Sequence, residues 1–97
     1  MTVKIIGLIR LKDLAAFEIY RSQVGATVEK HQGLVVARGT ADKTYWNELP
    51  CGEFTAFVEL QFPSEAEADR WVVSTEYKAL VPVRTQAMDL TLFRVEE

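Results

Sequence analysis

Five side chains carry the acid–base and anion-binding chemistry this sequence offers: His31, Arg38, Glu59, Tyr77 and Arg84. His31 is the only histidine, so no site needing several histidines can form within one subunit. An imidazole titrates near neutrality and can act as a catalytic acid or base. At the end of a helix it can equally serve as a favourable charge on the helix dipole. Glu59 is the second candidate for proton transfer. Arg38 offers a planar fork suited to a small carboxylate or enol-like ligand. If its side of the strand faces the same way as that of Glu59 and Phe57, these residues make a polar spot in an apolar cavity, with Arg10 at the margin. The alternative is an internal salt bridge or a solvated edge charge. Strand register decides between them. Tyr77 and Arg84 are ligand-binding candidates, although Arg84 can also pin its own segment by pairing with Glu48 or Glu76. Trp46 can close a pocket and Glu48 can act as a base or a ligand contact. Aromatic loop residues also anchor loops or fill a partner's interface.

The chain has no phosphate-binding loop, dinucleotide fingerprint, zinc spacing or nucleophile elbow. No metal and no cofactor is expected. Cys51 is the only cysteine, which precludes an intrachain disulfide, and without a basic neighbour in sequence it is read as an unactivated thiol. A net charge of -3 argues against a nucleic-acid backbone as partner, because phosphate binding needs clustered Lys and Arg. The apolar run 5–9 is too short for a signal-peptide core or a membrane span. A cytoplasmic protein is expected.

The elements that must position these residues follow from periodicity. In 54–62, Phe54, Ala56, Val58, Leu60 and Phe62 alternate with Thr55, Phe57, Glu59 and Gln61, the pattern of a strand. Pro63 stops it, and Ser64 with Glu67 forms a capping-box signature ahead of Ala68, Trp71 and Val72 at helical spacing. Earlier, 3–11 alternates as a first strand. Asp13 can cap a helix running to about Gln32, with Phe17, Tyr20, Val24, Val28 and His31 along one face and Gly25 as a weak point. Gly33 ends it, and 34–40 reads as a strand with Leu34, Val36 and Arg38 on one side. The connection 41–52 is long and too apolar for a plain solvated loop. Thr75 can cap a short helical piece from Glu76 to about Leu80, and Pro82 should push Val81 out of helical geometry. Residues 88–96 read as the last strand.

Strand, helix, strand, strand, helix, strand is the order of an α+β, ferredoxin-like domain spanning all 97 residues. It predicts a four-stranded antiparallel sheet with both helices on one face. The other face would then expose Ile6, Leu8, Phe57 and Phe93. Leaving one large apolar side chain wet forfeits about 1.5–3 kcal/mol. Four such losses are heavy against a total stability of about 5–15 kcal/mol. A sheet-to-sheet homodimer is therefore expected.

With those elements placed, the sequence resembles the family known as domain of unknown function 1330, in the dimeric α/β-barrel superfamily. The likeness covers nearly the whole chain. It rests on Asp13, Phe17 and Tyr20, His31-Gln32-Gly33, Ala37-Arg38-Gly39, the run from Val58 to Ser64 leading into Ala66, Ala68 and Trp71, then Ser74-Thr75-Glu76-Tyr77 and Arg84. Thr75 stands where family members usually have proline, Leu49 where a glycine usually follows the loop glutamate, and the Glu96-Glu97 end where Glu-Gly is common. The resemblance implies a homodimer with a cleft between sheet and helix or between the two sheets, and it implies no particular reaction. Three functions follow: binding of a small hydrophobic or carboxylate-bearing molecule, a cofactor-free monooxygenase or isomerase by superfamily analogy, and a non-catalytic structural or regulatory module. An enzyme should gather at least two of the five chemical residues around one pocket; an inert module should leave them dispersed or paired off. An RNA-binding sheet lacks the stacking aromatics and basic surface it would need.

Overall fold

The protein's computed structural model describes residues 2–50 and 52–96; Cys51, and the reading of its thiol, lies outside them. Its elements run β1 (Val3–Leu11), α1 (Leu14–Lys30), β2 (Leu34–Thr40), β3 (Ala56–Phe62), α2 (Glu65–Val72), α3 (Thr75–Lys78), α4 (Val81–Ala87) and β4 (Met88–Val95). The strands form one antiparallel sheet in the order β2-β3-β1-β4. The most apolar strand, β1, takes a central place, as a strand apolar on both faces requires.

Alternation divides β1 cleanly. Val3, Ile5, Gly7 and Ile9 are buried beneath the helices, paired with Phe62, Leu60, Val58 and Ala56 of β3. Trp71 from α2 and Val28 from α1 meet Phe62 there, and these three are the largest fully buried side chains. The opposite face holds Ile6 against Phe93 and Leu8 against Phe57. No helix among the described residues covers them, and Phe93 keeps 44% of its surface exposed.

Local chemistry sets the helix ends. Asp13 caps α1 through Oδ1, which accepts the Ala16 N–H at 3.1 Å. That bond, with one from Gln86, holds the Asp13 carboxyl below the usual carboxylate range. Gly25 does not break α1, which runs on to Lys30 with His31 as its C-cap. The left-handed residue of the turn is Gln32, at φ 67°. Gly33 is glycine for another reason. A Cβ there would lie 2.6 Å from the Phe62 ring and 2.8 Å from Val28 Cγ1. Ser64 caps α2 by accepting the Glu67 N–H at 3.2 Å, while the Glu67 carboxylate turns to Arg70.

Two expectations are corrected. Ser74, not Thr75, caps α3, accepting the Tyr77 N–H at 3.1 Å. A further helix then runs from Val81 to Ala87 with Pro82 in its first turn, where a missing N–H breaks no helical bond. Its last carbonyl, on Ala87, accepts the N–H groups of Lys12 and Asp13 at 2.8 and 3.1 Å, tying the entry of α1 to the start of β4. The third correction concerns β2. A β-bulge shifts its register between Val35 and Ala37. Leu34 lies opposite Gln61 and Arg38 opposite Val58, so the two point to opposite sides of the sheet.

Candidate functional site

The bulge decides where the arginine goes. Arg38 emerges on the helix side with Val35, while Glu59 and Phe57 lie on the open side, opposite Ile6 and Leu8. The Arg38–Glu59 spot therefore does not form. Glu59 instead sits 4.0 Å from Lys4.

On the helix side a cleft of about 320 Å³ opens between α1 and the sheet. Phe17, Tyr20, Arg21 and Val24 of α1 form one wall; Val35 and Arg38 of β2 form part of the other. Its floor is apolar, with Ile9, Leu60, Leu90 and Leu92 from the other three strands and Trp71 behind. Thr40 and Thr55, at the roots of the β2–β3 loop, stand at one end, and Phe57 also contributes to the lining. Volume and polarity suit a small organic molecule.

The charge on this wall is one-sided. Among the described residues Arg21 and Arg38 are its only ionised side chains, and no carboxylate lines it. Arg21 donates to Glu18 at 2.9 Å, with its guanidinium 5.9 Å from the Phe17 ring centre. The Arg38 guanidinium makes no hydrogen bond or ion pair with the described residues.

Tyr20 links the cleft to a buried polar chain. Its hydroxyl lies 3.0 Å from that of Tyr77, and Arg84 Nη1 donates to the Tyr77 hydroxyl at 2.9 Å. Arg84 also sits 5.6 Å from the Tyr77 ring centre, so this pair, and not Glu48 or Glu76, pins the segment. Burial, then the neighbouring Tyr77, pushes the Tyr20 phenol well above its ordinary value, so it is a donor or acceptor but not a base. Nearby, Trp71 Nε1 donates to Thr27 Oγ1 at 3.0 Å.

The remaining candidates lie elsewhere. His31 Nε2 is buried without a hydrogen bond, 3.6 Å from Glu76 Oε2. Lys30 donates to the other Glu76 oxygen at 2.8 Å and is the main cause that pulls this carboxyl down to about 2. None of these three lines the cleft. Trp46 is 82% exposed and Glu48 is exposed beside it. Arg10 pairs with Asp89 at 2.6 Å and lowers its pKa. Of His31, Arg38, Glu59, Tyr77 and Arg84, Arg38 alone lines the cleft; Tyr77 and Arg84 reach it only through Tyr20, and His31 and Glu59 lie beside Glu76 and Lys4. Sequence reasoning passed over Tyr20 and Arg21 as cleft residues. Tyr20 is placed by sequence only on one face of the first helix, and the signal for Arg21 is its place one turn after Phe17. Among the described residues no group of three or more metal-ligating side chains comes together, and no helix is long and apolar enough to cross a membrane.

The family model for "Domain of unknown function (DUF1330)" matches residues 2–97. The chain belongs to the DUF1330 family. Comparison with curated proteins finds no match. Among solved structures, a Rhodopseudomonas palustris protein of unknown function is similar at TM-score 0.82 and 20% identity, covering 99% of this chain and 82% of that one. A dimeric ferredoxin-like protein of unknown function from Jannaschia sp. CCS1 is similar at TM-score 0.71 and 7% identity, over 100% of both chains. SnoaB, a cofactor-independent oxygenase from Streptomyces nogalater, is similar at TM-score 0.69 and 9% identity, covering 99% of this chain and 92% of that one. At these identities the likeness is one of fold. This DUF1330 protein is a ferredoxin-like domain by that measure and by its own sheet order.

Proposed function

We propose that this DUF1330 protein is a homodimer that binds a small hydrophobic molecule carrying a carboxylate or similar anion in the cleft between α1 and the sheet. The observation that carries this reading is the cleft lining: largely apolar, with two arginines, no acid and one guanidinium unpaired among the described residues. Arg21 is already paired with Glu18, so the Arg38 guanidinium is the cation at the cleft rim left to meet a ligand's anion. The homodimer is supported by the open apolar face and by ferredoxin-like neighbours described as dimeric.

Calorimetric titration with naphthoate and with its uncharged counterpart naphthamide tests the ligand reading. The carboxylate should bind at least about tenfold tighter, a difference of about 1.4 kcal/mol. Arg38→Gln should erase most of that preference while leaving naphthamide binding unchanged. Equal affinity for both compounds, or a preference untouched by the substitution, contradicts the reading.

A cofactor-free oxygenase or isomerase is the second reading. The chain Arg84–Tyr77–Tyr20, which ends on a residue of the cleft wall, favours it, since a phenol polarised by a guanidinium can steady a developing oxyanion. The dispersal of His31 and Glu59 away from the cleft favours binding without turnover. His31 and Glu59 are accordingly given no catalytic role here, and Arg38 is retained as the ligand anchor.

A further inference from the structure

The β2–β3 loop carries the most exposed large apolar side chains in the described residues. Tyr45, Trp46 and Leu49 keep 76%, 82% and 72% of their surface in contact with solvent. Lys43 lies 5.3 Å from the Tyr45 ring centre, and among the described residues neither ring stacks on another aromatic ring. Three such residues within five positions form a patch, not scattered surface hydrophobes.

The loop is continuous with the open face of the sheet. A small hollow is walled by Leu8, Arg10, Asp89 and Thr91, with Glu53 and Phe54 of the loop among its other lining residues. Leu8 and Arg10 pair with Thr91 and Asp89 and lie on the side away from the helices. A Cβ on Gly52 would stand 3.3 Å from Arg10 Nη1, so the returning limb of the loop also runs beside that face. Gly52 adopts φ 75°, the left-handed turn that lets it do so.

Area then selects the occupant. Four strands about 4.8 Å apart and about seven residues long present a planar face of roughly 450 Å². A stable dimer needs about 800 Å² from each partner. Tyr and Trp side chains bring about 150–250 Å² each, so at their observed exposure Tyr45 and Trp46, with Leu49, add roughly 400 Å². The loop residues add about as much area as the flat footprint of the face, so face and loop together make a full-sized interface.

We infer that Tyr45, Trp46 and Leu49 of each copy pack against a second copy of this chain, completing the interface begun by Ile6, Leu8, Phe57 and Phe93. This rests on the homodimer reading above. It also places the partner's surface next to Thr40 and Thr55, where the loop roots meet the cleft. The dimer would therefore bound one end of each ligand site.

Sedimentation velocity and acrylamide quenching on the full chain test this together. Trp71 is 1% exposed and Trp46 is the only other tryptophan, so subtracting the emission of Trp46→Phe from wild type isolates Trp46. The expected result is a dimer in which Trp46 is quenched at least threefold less than free indole, with quenching rising as dilution yields monomer. Replacing Tyr45, Trp46 and Leu49 together by Ser should weaken dimerisation at least tenfold without changing the circular dichroism of the monomer. A dimer whose Trp46 is quenched like free indole, and whose affinity survives the triple change, overturns the loop inference and leaves the homodimer standing. A monomer at every concentration overturns both.

Discussion

Removing the Tyr77 hydroxyl should cost much more than removing that of Tyr20, although the two atoms share one hydrogen bond. Tyr77→Phe deletes the acceptor of Arg84 and the partner of Tyr20 at once, in a position only 3% exposed. A charge-assisted bond contributes about 1.5–3 kcal/mol and an orphaned buried hydroxyl costs about 1–3 kcal/mol. Arg84 is half-buried and recovers part of its loss from water. The expected loss is about 2–3 kcal/mol for Tyr77→Phe. Tyr20→Phe leaves Tyr77 still bonded to Arg84 and should cost only about 0.5–1.5 kcal/mol. In the double variant the Tyr20 hydroxyl is no longer there to be orphaned, so it should be no less stable than Tyr77→Phe alone. The resulting coupling of about 1 kcal/mol is what a double-mutant cycle detects. Urea unfolding of the four proteins is the assay, and in a domain of this size about 1 kcal/mol also moves the melting temperature by about 4–8 °C. Strict additivity, or a Tyr20→Phe loss equal to that of Tyr77→Phe, would refute the chain of bonds from Arg84 to the cleft wall.

Three further outcomes follow from particular contacts. Gly33→Ala should destabilise the fold by about 1–3 kcal/mol, because its Cβ would strike the Phe62 ring and Val28, both fully buried; a change below about 0.5 kcal/mol in urea unfolding would contradict that packing. Glu76 has its carboxyl lowered from 4.5 to about 2 in the folded protein, so the stability it contributes is complete above the unfolded value and is lost as pH falls through that interval. Glu76→Gln should flatten this part of the acid dependence of the unfolding midpoint, and an unchanged slope would remove the Lys30–Glu76–His31 cluster as its cause. Phe93→Asp, placed opposite Ile6 in the middle of the open face, should shift wild-type dimer to monomer in sedimentation while leaving the monomer folded; an unaltered dimer would mean that the association uses another surface.

Most of the fold was readable because alternation and capping are local. The limits of β1 and β2, the Asp13 and Ser64 caps and the identity of the uncovered residues all follow from side chains within a few positions of one another. The candidate site was much less readable, for physical reasons that concern distant contacts. One extra residue in β2, at Val36 with no proline or glycine at that position to announce it, sent Arg38 to the helix side and left Glu59 on the open one. Tyr20 was recognisable as a helix-face residue, but only tertiary packing brings it within 3.0 Å of Tyr77, far along the chain. The helix 81–87 was hidden by reading Pro82 as a breaker when it lies in a first turn.

Amide chemical-shift mapping during a naphthoate titration tests the central claim most directly, because it asks where an apolar anion goes. Saturable shifts should concentrate on Val24, Val35, Arg38, Thr40 and Thr55 around the cleft, and they should fade in Arg38→Gln. Shifts centred on Ile6, Leu8 and Phe93 of the open face, or naphthamide saturating the cleft at the same concentration as naphthoate, would contradict it.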